Sequence, residues 1–223
     1  MKFLPYLVLF FVSVSLIPAY SQEFSNPTLV LQTIDVPAEA FNRVKADSVI
    51  TKLDSPHEGS WQIVIQNDLV YANPKGNAII RFYDANSEDK YIDIVMGSLP
   101  DRPFWAAFNL PYMGYVPATH VDKQGWSPDG KIILAYSDAQ GISIGNGKRI
   151  VVSSVNLDGF VVDRYSVYGM EEATDPPAMN SGKLTIEVMS GDISKNPFHY
   201  YPFVVSGSVG AIILILLVIK KRS

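Results

Sequence analysis

The sequence predicts an all-β protein: an antiparallel β-sandwich of jelly-roll or Ig-like (immunoglobulin-like) type, held outside a membrane by one C-terminal transmembrane helix. Three observations predict it. About ten short runs rich in β-branched and aromatic residues recur at regular intervals, separated by glycine, proline, asparagine and aspartate turns. No amphipathic helix lies between them, as a parallel βαβ arrangement would require. Residues 203–219 carry no charge and are followed by Lys220, Lys221 and Arg222, the pattern of a spanning helix with a cytoplasmic stop.

Residues 1–21 read as a signal peptide. Met1 and Lys2 form a basic start, 3–17 an apolar core, and Ala19-Tyr20-Ser21 a small-x-small cleavage site. Retention of this segment as a second anchor is the alternative. The extracytoplasmic domain is expected over 22–190, opening on a polar leader. Its first strands are expected near 29–36 and over 49–53, with a helical turn or two in 38–45 between them. Trp61, Ile63 and Ile65 alternate with Gln62, Val64 and Gln66, the period of a sheet with a buried face. Strands follow over 78–83 and 91–95, with 84–90 as a hairpin loop.

Ser127-Pro128-Asp129-Gly130 is a tight-turn sequence leading into a strand over 131–136. A second turn is expected over the glycine-punctuated 141–147, then strands over 149–155 and 160–167. The alternation in 183–188 suits a last strand with one face to solvent. A short stalk, 191–202, joins the domain to the helix 203–219. That helix spans roughly 25 Å at about 1.5 Å per residue. Interfacial Phe198, Tyr200 and Tyr201 and snorkelling lysines supply the rest of a hydrocarbon core of about 30 Å. The tail 220–223 is cytoplasmic by its charge, so the protein is expected to be single-pass, with its N-terminal domain outside the cell membrane.

Composition narrows the class. A formal net charge of −4, with three cations in the tail, leaves the domain acidic and argues against nucleic acid as a partner. Cysteine is absent, so the fold rests on its core and not on disulfides. Proline blocks the one sequon-like triplet, Asn26-Pro27-Thr28. Both absences fit a bacterial or archaeal surface.

Catalysis has no motif. His57, His120 and His199 stand apart without metal-ligand spacing, and no Gly-x-Ser-x-Gly occurs. The expectation is that the protein is not an enzyme. Calcium is the one cofactor with candidate ligands, the alternating oxygen donors Asp84, Asn86 and Glu88. A plain hairpin loop uses the same residue types. The stretch 100–117 is the candidate contact surface. It carries Phe104, Trp105, Tyr112 and Tyr115 with few charges, and exposed aromatic rings bind sugars, proteins or lipid. The alternative is that 104–108 is one more strand and the remaining aromatics plug the end of the sandwich.

The passage through 131–136, Asp138-Ala139-Gln140-Gly141, Gly145-Asn146-Gly147 and a further β-rich strand resembles the middle of cohesin-type and related carbohydrate-binding sandwiches. In those, a strand like 183–188 closes the sheet and an early tryptophan such as Trp61 is at home. The resemblance covers about half of the domain and implies a sandwich with a binding role. The tail is similar to the ends of surface proteins handled by exosortase-type and archaeosortase-type transpeptidases, though Tyr201-Pro202-Phe203 lacks their acidic Pro-Glu-Phe-type motif.

Two functions fit. The first is a membrane-anchored binding or adhesion module contacting a glycan or protein through the aromatic stretch. The second is a non-catalytic accessory subunit of a membrane complex, whose other transmembrane subunits pack on the small residues Ser206, Gly207, Ser208, Gly210 and Ala211.

Overall fold

The structure, a computed structural model, describes residues 29–99, 102–117, 126, 130–138, 140–148, 150–157, 159–177 and 179–190. All of these fall in one compact unit, Asn26–Ile193. The expected signal peptide 1–21, stalk 191–202, helix 203–219 and tail 220–223 lie outside the described residues. Among the described residues no helix is long and apolar enough to cross a membrane.

Among the described residues fourteen strands form two six-stranded sheets and one two-stranded ribbon. In chain order they are β1 (Leu29–Pro37), β2 (Thr51–His57), β3 (Ser60–Asn67), β4 (Val70–Tyr71), β5 (Asn77–Asp84), β6 (Ser87–Leu99), β7 (Arg102–Leu110), β8 (Gly114–Pro117), β9 (Lys131–Ser137), β10 (Gly141–Gly145), β11 (Ile150–Val155), β12 (Val162–Tyr168), β13 (Met179–Ser181) and β14 (Lys183–Ser190). The first sheet runs β1-β14-β3-β9-β10-β11, the second β2-β12-β5-β6-β7-β8, and β4 pairs with β13. Every ladder is antiparallel. The helical turns expected in 38–45 are two short 3-10 segments, Ala38–Phe41 and Lys45–Asp47.

The core is built by period-two alternation. Trp61, Ile63 and Ile65 of β3 and Leu184, Ile186 and Val188 of β14 are buried, as are Ile80 and Phe82 of β5, Ile92, Ile94 and Met96 of β6 and Ala106 and Phe108 of β7. Trp61 stacks on Tyr136 at 5.2 Å between ring centres, and Phe108 meets Trp126 edge-on at 5.3 Å. Each such large apolar side chain contributes about 1.5–3 kcal/mol by leaving water.

Two local expectations are corrected. Residues 84–90 are not a hairpin loop: β5 runs to Asp84 and β6 starts at Ser87, leaving Ala85-Asn86 as the turn. The β5–β6 register shifts between Tyr83, which faces Tyr91, and Asp84, which faces Ser87, so Glu88, Asp89 and Lys90 are a bulged strand end. The glycine-rich 141–147 is not simply a turn, because Gly141–Gly145 is strand β10, buried along its whole length between β9 and β11. In the aromatic stretch the strand alternative holds: 102–110 is strand, and 102–117 is a hairpin with only 111–113 at its tip.

One end of the sandwich gathers several features. Leu29 pairs with Ser190, and Ser190 with Trp61, so the domain begins and ends side by side. A two-residue link, Glu58-Gly59, carries β2 into β3 at this same end. In the second sheet His57 pairs with Val162, Val162 with Asp84, and Asp84 with Ser87. From Ser87, β6 runs to the far end and β7 returns, which puts the β7–β8 hairpin at the end where the domain starts and finishes.

Candidate functional site: the β7–β8 hairpin and its cleft

The tip is closed by a hydrogen bond from the Met113 backbone N–H to the Leu110 carbonyl, 3.2 Å. Leu110 pairs with Gly114 across it. Pro111 pre-sets its own φ, and the two residues that must turn left-handed are Tyr112, φ 65°, and Gly114, φ 73°. For glycine that conformation is free of strain; for tyrosine its Cβ crowds the following carbonyl. Tyr112 is nonetheless 82% exposed, with Met113 at 53% and Tyr115 at 58%. A large ring is therefore held in water on a strained backbone.

Beside Tyr112 opens a cleft of roughly 250 Å³ that also takes in Asp89, Tyr91 and Asn109. Tyr91 and Asn109 stand on the outward face of the second sheet, since Ile92 and Phe108 beside them point into the core. Below them lies a fixed polar platform. Arg81 donates two hydrogen bonds to Asp93, Nε at 2.6 Å and Nη2 at 2.8 Å, and its guanidinium lies 3.6 Å from the centre of the Tyr91 ring. Burial by itself would lower the Arg81 pKa, but the Asp93 carboxylate outweighs it and the net shift is upward. The guanidinium thus stays charged and the ring stays put. Asn109 Nδ2 donates to Asp93 Oδ2 at 3.5 Å, which leaves Asn109 Oδ1 free among the described residues. The Asp89 carboxylate is likewise uncommitted there. The cleft therefore combines an exposed ring, a fixed ring and two oxygen acceptors.

No protein-family model, of the cohesin type or any other, matches the chain, and no curated protein matches it. Similar solved structures share little sequence. A fructofuranosidase from Schwanniomyces occidentalis complexed with fructose is 11% identical, with 71% of this chain and 33% of that one covered at a TM-score of 0.34. A β-1,3-glucanase from Mycobacterium marinum is 12% identical, with 75% and 87% covered at 0.36. The ligand binding domain of botulinum neurotoxin serotype D, in complex with N-acetylneuraminic acid, is 14% identical, with 80% and 45% covered at 0.32. The chain spans about a third of the fructofuranosidase. Likeness at this level carries no argument about what the chain binds.

The four aromatic candidates separate. Tyr112 and Tyr115 are on the hairpin and exposed. Trp105 lies in β7 opposite Gly97, and its indole crosses the space a Cβ on Gly97 would fill, 2.5 Å from that position. It is a half-buried strand residue away from the cleft. Phe104 is a position in the same strand, β7. Asp89, Tyr91 and Asn109 are added by the structure. Tyr91 was open to recognition as the outward neighbour of Ile92, but the pairing that carries Asn109 to it joins separate strands and is invisible to local pattern.

The calcium candidates diverge as well. Asp84 is buried and accepts the backbone N–H of Val161 at 3.1 Å and of Asn86 at 3.4 Å, with Lys90 Nζ at 3.7 Å. Glu88 is exposed and pairs with Arg164 at 3.0 Å. Asn86 is a turn residue leaning on Asp84. Among the described residues no group of three or more His, Cys, Asp or Glu is placed to hold a metal ion. Of the histidines, only His57 is described. It is 7% exposed, and among the described residues its Nε2 has no hydrogen-bond partner.

Proposed function

We propose that this chain is a non-catalytic binding module, anchored by 203–219 with its sandwich outside the cell, and that it takes a sugar in the cleft beside Tyr112. The carrying observation is the exposed Tyr112 ring on a left-handed backbone next to uncommitted Asp89 and Asn109 oxygens. Backbone strain persists where the surrounding structure enforces it, and it clusters at working sites. A sugar ring offers an apolar face for stacking and hydroxyl donors for the two acceptors, which is the combination that small-ligand sites present. The cleft is open to solvent, and its volume is a little below the roughly 300–1,000 Å³ of drug-sized sites.

The test uses the full chain in mild detergent on an array of soluble glycans. Binding is expected, and Tyr112→Ala or Asn109→Ala should weaken it at least tenfold with the near-ultraviolet circular dichroism unchanged. Binding that survives both substitutions places the contact elsewhere.

A second reading, an accessory subunit of a membrane complex, draws on a different surface. Strand β1 is the open edge of the first sheet and exposes Leu29, Val30 and Leu31. An unpaired edge with apolar side chains is a template for another chain. Gentle extraction and size separation decide it: stable migration with multi-spanning proteins favours the subunit, migration alone the module.

A further inference from the structure

We infer that the sugar taken by the cleft is a cationic one, a hexosamine whose free amine sits as an ammonium group between the Asp89 carboxylate and the tyrosine rings. This rests on the sugar-binding reading above and adds the chemical class of the ligand and the residue that selects it.

The cleft holds an anion that nothing beside it answers. Of the described side chains that line it, Asp89 alone carries a charge. The neighbouring cations are committed elsewhere: Arg81 to Asp93 through two hydrogen bonds, Lys90 to Asp84 at 3.7 Å, and Arg164 to Glu88 and Asp163, each at 3.0 Å. A sialic or uronic acid would set a second carboxylate against Asp89, a like-charge contact that costs affinity. A neutral hexose fits but leaves the charge unused. An ammonium group answers it with a charge-assisted hydrogen bond, roughly twice as strong as a neutral one.

The hydrogen-bonding pattern is one-sided in the same sense. Asn109 turns its amide nitrogen to the Asp93 carboxylate, 3.5 Å away, because that acceptor needs a donor. What Asn109 can offer the cleft is therefore its carbonyl oxygen. An ammonium group donates three hydrogens and accepts none, so it suits a carboxylate and a carboxamide oxygen together. An N-acetyl group in its place would present a carbonyl oxygen to the same two acceptors.

Rings complete the setting. Tyr112 is 82% exposed, and Tyr115, 58% exposed, pairs with Asn109 and so shares its face of the sheet. The negative face of a phenol ring attracts a cation within about 6 Å of its centre, as Tyr91 already does for Arg81 at 3.6 Å. Among the described residues no cation stands over Tyr112 or Tyr115.

The full chain in mild detergent would be titrated with the methyl glycosides of glucosamine, glucose, N-acetylglucosamine and glucuronic acid, with binding read by saturation-transfer NMR. The glucosaminide is expected to bind at least fivefold tighter than the glucoside, the N-acetyl form no tighter than the glucoside, and the glucuronide weakest. The preference should shrink as salt screens Asp89, and as pH rises from about 6 to about 9, which discharges the sugar amine while the carboxylate stays ionised. Asp89→Asn should abolish it and leave the affinity for the glucoside within about twofold. Equal binding of glucosaminide and glucoside, or a preference untouched by salt or by Asp89→Asn, overturns the inference and leaves the sugar site standing. Failure of all four glycosides with binding retained on the glycan array overturns it in the same way. Failure on the array as well removes the sugar reading itself.

Discussion

Tyr112 makes backbone strain and the proposed sugar contact separable in one substitution. Left-handed backbone costs a non-glycine residue about 1–2 kcal/mol, partly offset in a glycine variant by the extra freedom of the unfolded chain. Tyr112→Gly is therefore expected to keep or slightly raise Tm while weakening sugar binding at least tenfold. A fall of several degrees would mean that the ring stabilises the fold. His57 offers a test by pH. Burial holds its imidazole below the ordinary value, and Asp54 pulls it only partly back. With the folded-state pKa depressed, the unfolded chain binds the proton more readily. The neutral form's stability is full above the ordinary histidine pKa near 6.5 and is lost as pH falls through it towards the folded-state value. His57→Leu also removes an unpartnered nitrogen, so it should gain about 1 kcal/mol at pH 7 and lose less Tm than the parent between pH 7 and 5. At this scale the sequence announced Tyr112 and Tyr115 through aromatic density in a charge-poor stretch. It was silent on Asp89 and Asn109, whose meeting depends on register.

Among the elements, β10 shows how glycine misleads. Gly141 and Gly145 bracket Ile142 and Ile144, which both reach the core. A turn was the natural expectation for so many glycines, yet one of them is there for proximity. A Cβ on Gly141 would run into the Val155 carbonyl oxygen, and its φ is 69°. Gly141→Ala combines a backbone clash with a left-handed conformation, so a loss of about 3 kcal/mol or more is expected by urea unfolding. A loss under 1 kcal/mol would show that β11 is free to draw back. The β5–β6 turn departs from expectation for a complementary reason. Charged side chains suggest a loop, whereas Glu88 and Lys90 use one strand end to reach Arg164 and Asp84.

For the domain as a whole, strand alternation and turn chemistry were enough to foresee two antiparallel layers. The order of strands within each layer was not, because it is written in pairings between distant residues. The most distant of these joins β1 to β14, and among the described residues β14 is the only strand beside β1. Deleting 183–190 in the full chain should therefore expose the amides of Leu29–Pro37 to rapid hydrogen exchange as well as the facing edge of β3. Protection persisting in Leu29–Pro37 would show another partner for that strand. A ribosome delivers the chain from its N-terminus, so the first strand made waits unpaired for the last. Closing that loop carries the entropy of almost the whole domain, and long-range pairing of this kind is slow. Through most of its synthesis the protein is thus a chain with an apolar, unclaimed leading segment, open to capture by chaperones or by its own copies. Its folding is timed by the arrival of its end.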